Sequence, residues 1–311
     1  MRNRFAKEIE KKIEEGNTYI LTGDLGFSVF ERIKERFPDK YIDIGLSEQN
    51  MIGVAAGMSI AGQNVFVYSI IPFLIYRAFE QVRDDVCYQN LPVRMVGVGA
   101  GLAYSDAGFT HQAIEDYGIM KTLPNVTILS PSDPDEVSVL MEQIENVNGP
   151  VYLRLSRSGE TILHNLHKQI KIGRALRLKK GNDVLIISTG VLLKKAIEVS
   201  QMLESRNVSV EILHYHTLKP FDRESLLRSC EGKRLVVTVE EHLINTGIYS
   251  DVLQTLNLNS FSIKVIPFGL SEPIKQYSGT REFLLDSFGL GSVEIYNSIL
   301  SELGEKTEKS L

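Results

Sequence analysis

The sequence predicts an α/β protein of two domains, each a mostly parallel sheet with helices on both faces. Two observations predict this fold. Short runs rich in valine and isoleucine alternate with helical patterns through most of the 311 residues, and a polar stretch at residues 160–173 divides this alternation in two. Such apolar runs are typical of strands that helices cover on both sides. We therefore expect one domain at residues 1–165 and a second, smaller one at residues 166–311.

In the first half, strands and helices follow each other regularly. The predicted strands are TYILTG, YIDIG, NVFVYSI, VRMVGVG, VTILSP and VYLRLS, which begin at residues 18, 41, 64, 93, 126 and 151. The predicted helices between them are Phe30–Arg36, Gln49–Ala61, Tyr76–Tyr88 and Pro134–Glu145. This half is expected to be complete near Gly159.

The second half repeats the pattern. Its predicted strands are DVLIISTG, SVEILHY, LVVTVEE and SIKVIPFG, which begin at residues 183, 209, 235 and 262, and its predicted helices are Leu192–Ser205 and Asp222–Cys230. We interpret residues 160–173 as a linker that enters a short hairpin turned at KKGND, residues 179–183, because glycine, asparagine and aspartate favour turns. The polar tail at residues 301–311 is expected to fray.

Composition excludes several classes of function. The formal net charge is −5 and basic residues are scattered, so the basic stripe of a nucleic-acid-binding protein is absent. The first residues lack the apolar core of a signal peptide, and no run is long enough to span a bilayer, so we expect a cytoplasmic protein without a membrane partner. Cys87 and Cys230 are the only cysteines, which excludes a disulfide framework and a four-cysteine zinc site and predicts two buried or indifferent thiols.

A glutamate stands where a predicted strand ends and a helix rich in alanine and glycine begins, in YIDIGLSEQNMIGVAAG, residues 41–57. Ligands of an open parallel sheet meet the carboxyl ends of its strands, where helices begin with free amide groups. Helix capping by Ser47, with Glu48 complementing the helix dipole, would explain the glutamate without a ligand and would stabilise the helix by about 0.3–1 kcal/mol. On the local sequence alone, capping is the simpler explanation.

Motifs further along the chain favour a ligand. The runs FVYSIIPFLIYRAFEQVRDDV, GAGLAYSDAGFTHQAIEDYGIMKTLPNVTILSPSDPDE and GPVYLRLSRSG resemble, in this order, the pyrimidine-binding domain of transketolase and of its relative 1-deoxyxylulose-5-phosphate synthase. In the second half, LHYHTLKPFD and VVTVEEH are similar to the C-terminal domain of the same family. The resemblance covers nearly the whole chain and is specific in the combination of its motifs.

This resemblance implies a role for Glu48. In the family, the glutamate hydrogen-bonds the aminopyrimidine ring of thiamine diphosphate and favours the imino tautomer that removes the proton from the thiazolium carbon. Chemically, a carboxyl group in a poorly hydrated pocket has a raised proton affinity and can share a proton with a weakly basic ring nitrogen. The electron-sink chemistry then belongs to the cofactor.

Further cofactor contacts are implied around the pyrimidine. Phe73 stands where the family's aromatic ring stacks on it, and Tyr76 and Phe79 follow along the chain. An aromatic stripe facing the core explains Tyr76 equally well and Phe79 better. Leu46 matches the bulky residue that supports the bent cofactor, although core packing would explain it too. Asp24 matches an aspartate near the cofactor, and helix capping is its alternative explanation.

Substrate contacts are also implied by the resemblance. Ser28 and Arg157 match residues near the substrate phosphate, for which helix N-termini and a guanidinium at a strand end are suited; capping would explain Ser28 as well. His111, in FTHQ, coincides with the histidine that contacts substrate hydroxyls and assists proton movement near neutral pH. Asp106 would meet a substrate hydroxyl. Arg154 competes with Arg157, but we expect its side chain to point to the opposite face of the strand.

Two departures from the family concern the substrate. Gly99 replaces a histidine or arginine that helps to hold the phosphate. The loop YSDAGFTH has one more residue between Asp106 and His111 than the family's DGPTH ending, and phenylalanine replaces the usual proline. We therefore expect Asp106 to be displaced from the substrate hydroxyl that it would otherwise meet. The donor and acceptor sugars are therefore open, and so is whether they carry phosphate.

No metal site is expected in this chain. GDLG at residues 23–26, with Asn50 downstream, imitates the family's Gly-Asp-Gly site for magnesium and diphosphate, but Leu25 replaces its second glycine and Asn50 lies within the glutamate motif. The remaining histidines show no metal-ligand spacing, and we expect structural or surface roles for all of them: His164, His167, His214, His216 and His242.

A full-length transketolase begins with a domain that binds magnesium and the diphosphate, whereas the resemblance of this sequence starts at the pyrimidine-binding half, so we expect the diphosphate-binding domain on a separate chain. The hypothesis is a C-terminal subunit of a split transketolase, whose partner is an N-terminal subunit carrying the diphosphate and Mg²⁺ domain. By the family's arrangement, thiamine diphosphate would lie between unlike subunits of a heterotetramer with two copies of each. The complex would transfer a two-carbon ketol unit from a ketose or ketose phosphate to an aldose.

Three alternatives remain. The beta subunit of a 2-oxoacid dehydrogenase decarboxylase component shares the two-domain plan and the glutamate, but its loop differs from the run at residues 110–133. A deoxyxylulose phosphate synthase is normally one chain. A non-catalytic binding or regulatory relative would have no reason to keep Glu48, Phe73 and His111 together.

Overall fold

The computed structural model describes residues 1–26, 28–157, 159–271 and 278–304. The regular elements of the first half are, in order, α1 (Arg2–Glu15), β1 (Thr18–Thr22), α2 (Glu31–Arg36), β2 (Tyr41–Asp43), α3 (Glu48–Ile60), β3 (Asn64–Ile70), a π-helical segment (Pro72–Arg77), α4 (Phe79–Gln81), a second π-helical segment (Val82–Tyr88), β4 (Arg94–Val98), 3-10 turns (Ser105–Ala107 and Phe109–His111), α5 (Asp116–Met120), β5 (Thr127–Leu129), α6 (Pro134–Gln143), a 3-10 turn (Ile144–Asn146) and β6 (Val151–Leu155).

The second half continues in the same way. Its elements are a 3-10 turn (His167–Gln169), β7 (Leu176–Lys179), β8 (Val184–Ser188), a 3-10 turn (Gly190–Leu192), α7 (Leu193–Glu204), β9 (Val210–His214), β10 (Thr217–Lys219), α8 (Arg223–Cys230), β11 (Leu235–Leu243), α9 (Ile248–Leu258), β12 (Val265–Leu270), α10 (Arg281–Ser287) and α11 (Ser292–Glu302). Of the tail that was expected to fray, residues 305–311 lie outside the described residues.

Within the described residues, the larger sheet has seven strands in the order β10-β5-β6-β4-β3-β1-β2. All its pairings are parallel except that of β10, which runs antiparallel to β5. The second half of the chain thus supplies the edge strand of the first sheet, which the sequence did not predict. The boundary at residues 165 and 166 stays a prediction.

Strand β3 shows why both faces of this sheet are covered. Its side chains alternate between two apolar clusters: Val65 and Val67 pack with α3 on one face, and Phe66 and Tyr68 pack with α1 on the other. Successive side chains of a strand point to opposite faces, so a run that is apolar at every position requires a layer of helices on each side. This confirms the predicted α/β class.

The smaller sheet has the order β12-β11-β8-β9-β7, with β7 antiparallel to its neighbour. The predicted hairpin at residues 179–183 is wrong, because β9 lies between the two strands that this turn connects. Gly181 explains the path: a β-carbon there would lie 2.2 Å from the carbonyl carbon of Val210, so the turn crosses the start of β9 in close contact. The chain therefore passes over β9 instead of folding back on β7.

The predicted helix Tyr76–Tyr88 begins earlier and is irregular. Two π-helical segments, Pro72–Arg77 and Val82–Tyr88, flank the short α4. Such segments are rare and are frequently found at functional sites. Here the first of them carries several of the candidate site residues.

Both cysteines are buried free thiols, as predicted, and burial raises the pKa of Cys87 and of Cys230 to about 12. In the described part of the chain, no helix has the length and apolar character needed to cross a bilayer.

Candidate active site

Glu48 lies at the carboxyl edge of the larger sheet. Strand β2 ends at Asp43, and Gly45, with φ +74°, turns the chain into α3, whose first residue is Glu48. The Glu48 side chain is 0% exposed. Ser47 makes no side-chain hydrogen bond to the helix, so capping by Ser47 does not explain this segment.

Two donors hold the Glu48 carboxylate. Ser69 Oγ donates to Oε1 at 3.2 Å, and Arg77 Nη1 donates to Oε2 at 2.6 Å. Each carboxylate oxygen keeps a further lone pair for another donor. Gly23 leaves room beside them, because a β-carbon there would lie 3.4 Å from Oε1 and 3.0 Å from the Gly45 carbonyl oxygen. The result is a buried, oriented acceptor at the edge of the sheet.

Arg77 links Glu48 to two other predicted site residues. Its guanidinium carbon lies 4.5 Å from the centroid of the Phe73 ring. That ring in turn makes an edge-to-face contact with His111, with the centroids 5.2 Å apart. His111 Nδ1 lies 2.9 Å from Thr110 Oγ1. The structure thus brings Glu48, Phe73 and His111 into one connected cluster.

Arg77 was not predicted as a site residue. A signal for it exists in the sequence, since it follows Phe73 by four positions, a spacing that places two side chains on one face of a helix. It was missed because no partner for a cation is evident from the sequence around it.

Tyr76 belongs to a separate pair. Its hydroxyl donates to Glu115 Oε2 at 2.9 Å and accepts from the Glu115 amide at 3.3 Å. Burial, together with the charges of Asp116 and Glu115, raises the pKa of Tyr76. Tyr76 and Phe79 both pack partly buried against the core. Core packing thus accounts for Phe79, while Tyr76 also fixes the segment that follows His111.

Leu46 is 72% exposed, so the core-packing explanation for it is wrong. An isolated exposed leucine needs no explanation, but this one lies two residues before the buried carboxylate. It therefore offers apolar surface beside the candidate site.

Asp24 lies at the same edge of the sheet. The backbone amides of Asp24 and Gly45 both donate to Asp43 Oδ1, at 2.9 and 3.0 Å. Asp24 is exposed and has φ 50°, and Ser28 is exposed and has φ 60°, a left-handed conformation that is costly outside glycine and is concentrated at functional sites. Helix α2 starts later and has no side-chain cap, so capping explains neither residue.

Arg157 and Asp106 form a second cluster. Arg157 Nη1 lies 3.7 Å from Asp106 Oδ2, and its guanidinium carbon lies 5.0 Å from the centroid of the Tyr104 ring. Gly99 has φ +95°, and a β-carbon there would lie 2.3 Å from the same ring. Tyr104 thus occupies the space that a side chain at position 99 would need. This contact accounts physically for the glycine that replaces the family's histidine or arginine at this position.

Arg154 does not compete with Arg157. It is buried, and its Nε donates to Asp116 Oδ2 at 2.7 Å while Nη2 donates to the carbonyl oxygens of Ala113 and Glu241. Since its donors are directed at partners within the protein, Arg154 is a structural residue.

Family models match both halves of the chain. The model described as "Transketolase, pyrimidine binding domain" matches residues 1–159, and the one described as "Transketolase, C-terminal domain" matches residues 173–295. The chain belongs to the transketolase family. Thiamine diphosphate is the cofactor that this family implies.

Relatives of this transketolase-family chain are similar over most of its length. A "putative transketolase C-terminal section" from Methanocaldococcus jannaschii is 33% identical, covering 95% of this chain and 93% of the relative. A "6-deoxy-6-sulfo-D-fructose transketolase subunit" from Clostridium sp. is 33% identical, covering 86% and 83%. A solved structure described as "split gene transketolase, inactive beta4 tetramer" has a TM-score of 0.88 and 32% identity, and covers 98% of both chains.

The residues present fit the pyrimidine end of thiamine diphosphate. A buried carboxylate with free lone pairs, an aromatic ring beside it and the exposed Leu46 supply an acceptor and apolar contacts. The fit does not extend to Mg²⁺ at this edge. Among the described residues, the one group of three side chains able to hold a metal ion is Asp133, His164 and His167, and it includes no carboxylate of this cluster.

Proposed function

We propose that this chain is the C-terminal subunit of a split transketolase. It transfers a two-carbon ketol unit from a ketose or ketose phosphate to an aldose, and only when a separate subunit supplies the diphosphate and Mg²⁺ site. The observation that carries the proposal is the buried carboxylate of Glu48, oriented by Ser69 and Arg77 beside the ring of Phe73.

Glu48 is the proton-handling group of this proposal. Thiamine diphosphate, when bound, supplies the electron sink for the ketol carbon. Glu48 would share a proton with the pyrimidine ring nitrogen, and the hydrogen bond from Ser69 would help to orient the carboxylate for it. Phe73 and Leu46 exclude water from the ring, and Asp24 and Tyr76 complete the proposed contacts around the cofactor.

Arg157, Ser28, His111 and Asp106 are the proposed substrate contacts. His111, in contact with Phe73, would meet the substrate hydroxyls beside the cofactor. Arg157 would bind an anionic end of the sugar, and its contact with Asp106 would be exchanged for that anion. Since Tyr104 fills the place of a side chain at position 99, a single guanidinium would carry the anion here.

The partner is proposed to be an N-terminal transketolase subunit in a heterotetramer with two copies of each chain. One relative is named a C-terminal section and another a subunit, and the solved neighbour is described as an inactive tetramer of its beta chain alone. These names support an activity that needs a second kind of chain. A cytoplasmic location also stays a proposal.

Calorimetry of thiamine diphosphate with Mg²⁺ tests the division of the site. Binding is expected only after this chain is mixed with a chain that carries the Gly-Asp-Gly domain. Tight binding to this chain alone would contradict the proposal that a separate subunit supplies the diphosphate site. Activity of the mixture with a ketose phosphate, as against pyruvate, then separates ketol transfer from the 2-oxoacid dehydrogenase and deoxyxylulose phosphate synthase alternatives.

Glu48→Gln tests the carboxylate itself. The variant should assemble normally and lose at least about 100-fold in kcat, because general acid–base groups contribute on the order of 10²–10⁴. The matched control is Glu80→Gln, which changes an exposed glutamate on α4 and should leave kcat unchanged. Equal turnover of Glu48→Gln and wild type would remove Glu48 from the mechanism and favour the non-catalytic alternative.

A further inference from the structure

Four of the six histidines gather where the linker meets α6. His164 and His167 stack with ring centroids 4.4 Å apart and an interplanar angle of 25°. His214 and His216, at the end of β9 and just after it, lie with centroids 6.0 Å apart. His164 and His214 both contact the carboxylate of Glu136, which joins the two pairs. The cofactor cluster described above uses none of these groups.

Three of the side chains in this region can converge on one point. One ligand atom each from Asp133, His164 and His167 lies within 4.8 Å of the others. The Asp133 side chain is 0% exposed, that of His164 5% and that of His167 15%. The group is therefore nearly withdrawn from solvent, yet one ring reaches the surface.

Asp133 is held in place by the start of α6. Its Oδ1 accepts from the amides of Asp135 and Glu136 at 2.9 and 3.0 Å, which caps the helix. Its Oδ2 accepts from the Leu163 amide at 3.0 Å and lies 3.3 Å from His167 Nε2. One oxygen thus serves the helix, and the other is directed at the linker.

The neighbouring groups fix the orientation of His164. Its Nδ1 accepts from the Leu166 amide at 3.2 Å, and its Nε2 lies 2.9 Å from Glu136 Oε1, so a metal ion would replace the Leu166 amide at Nδ1 while Nε2 keeps its contact with Glu136. Hydrogen bonds of this kind from a carboxylate or backbone group set the ring orientation of metal-ligating histidines. Glu136 also lies 3.1 Å from His214 Nε2 and is fully buried, so its own position is fixed.

The same region contains buried polar atoms without a partner and a neighbouring cavity. Among the described residues, Ser132 Oγ and His216 Nε2 are buried atoms that make no hydrogen bond. Both residues are more than nine-tenths buried, so bulk water does not satisfy these atoms. Ser132 and Leu163, the sequence neighbours of Asp133 and His164, line a cavity of about 410 Å³. The cavity thus lies beside the group, although the three ligand side chains do not themselves line it.

We propose that Asp133, His164 and His167 form a site for a divalent transition metal of the Zn²⁺ class. Two imidazoles favour such a metal over Mg²⁺ or Ca²⁺, which take oxygen ligands. Ligands about 2 Å from a tetrahedral Zn²⁺ lie about 3.3 Å apart. The distance of 3.3 Å between His167 Nε2 and Asp133 Oδ2 matches this ligand-to-ligand distance. The ligating nitrogen of His164 would have to move closer to both atoms. A water in the fourth position completes the set.

Binding there would clamp the linker onto the first turn of α6. Asp133 and His167 are 34 positions apart and lie in different segments, so the three ligands do not form one short motif in the linear sequence. The inference is independent of the proposed function, because the site uses none of the groups proposed to hold cofactor or substrate and its test needs neither.

The test is calorimetric titration of the full, chelator-treated chain with Zn²⁺, without thiamine diphosphate or a partner chain. Wild type is expected to bind one Zn²⁺ per chain with a Kd of micromolar or below and to melt at a higher temperature in its presence. His167→Gln and His164→Gln should each weaken binding at least tenfold and lose the thermal shift. His111→Asn is the matched control for zinc binding, because it removes an unrelated, partly exposed histidine.

Three results would overturn the site. They are no binding by wild type at micromolar Zn²⁺, unchanged affinity in a folded His167→Gln or His164→Gln variant, and an equal loss in His111→Asn. Circular dichroism of the metal-free chains identifies which variants fold. His167 is the more exposed of the two ligating histidines, so its replacement is the one expected to leave the fold intact.

Discussion

Arg77 makes a prediction at the scale of single residues. It places a cation against the buried Glu48 carboxylate, while its own side chain is 45% exposed. Arg77→Met should lower the free energy of unfolding by about 1–3 kcal/mol, because it leaves a buried acceptor without its charged donor. The effect should be smaller in a Glu48→Gln background, where there is no buried charge to leave unpaired. Urea denaturation of wild type, both single variants and the double variant measures this coupling.

The matched control is Arg83→Met, because Arg83 pairs with Asp84 on the surface and both side chains are about half exposed. Surface ion pairs of this kind contribute about 0–1 kcal/mol. Equal losses in Arg77→Met and Arg83→Met, or no coupling between Arg77 and Glu48, would show that the cation does not hold the carboxylate.

At this scale the sequence identified candidate site residues through the family resemblance of their motifs, because helix capping explains the local sequence around Glu48 more simply. Glu48 follows a strand at the start of a helix, and in the structure its side chain is buried and accepts a hydrogen bond from Ser69. The spacing of Arg77 from Phe73 indicates a shared helix face, but its contact with Glu48 depends on a π-helical segment that periodicity does not reveal. The roles given to the site residues stay predictions until variants are measured.

At the scale of elements, strands buried on both faces were predictable because their apolar runs end at glycine, proline or polar residues. β3 has the predicted bounds, Asn64–Ile70. Among the features that were not predicted correctly are the hairpin at residues 179–183, which is wrong, and the edge strand β10, which was missed and is only three residues long. Both depend on contacts between distant segments, which a local pattern does not contain.

Gly181 allows the path of that connection to be tested. A β-carbon at Gly181 would lie 2.2 to 2.5 Å from backbone atoms of Val210 and Glu211, which cannot rotate away. Gly181→Ala should therefore destabilise the protein by about 1–3 kcal/mol, the range found for overpacking.

Gly53→Ala is the contrasting variant for urea denaturation. Gly53 lies in α3, is exposed and has no atom within 4 Å of a β-carbon added there. Alanine in a helix is more stable than glycine by about 0.5–1 kcal/mol, so this variant should gain stability. The two Gly→Ala changes should thus have opposite signs, and a neutral Gly181→Ala would mean that the turn does not press on β9.

At the scale of the whole molecule, the two halves are joined by buried polar groups and by a shared sheet. β10 pairs with β5. Glu241, on β11, accepts from the Leu102 amide at 2.9 Å and is paired with Arg281, while its carbonyl oxygen accepts from Arg154. Separating the halves would break these hydrogen bonds. Each group that stayed buried without a partner would cost about 1–3 kcal/mol.

We therefore expect the chain to unfold as one cooperative unit in spite of its two sheets. Differential scanning calorimetry of the chain alone should show a single transition whose van't Hoff enthalpy equals the calorimetric enthalpy. Two separable transitions would mean that the halves fold independently and that β10 and Glu241 contribute little. A single transition would imply that the junction is formed before any partner binds, so that this chain presents the edge of the sheet around Glu48 as a preformed surface.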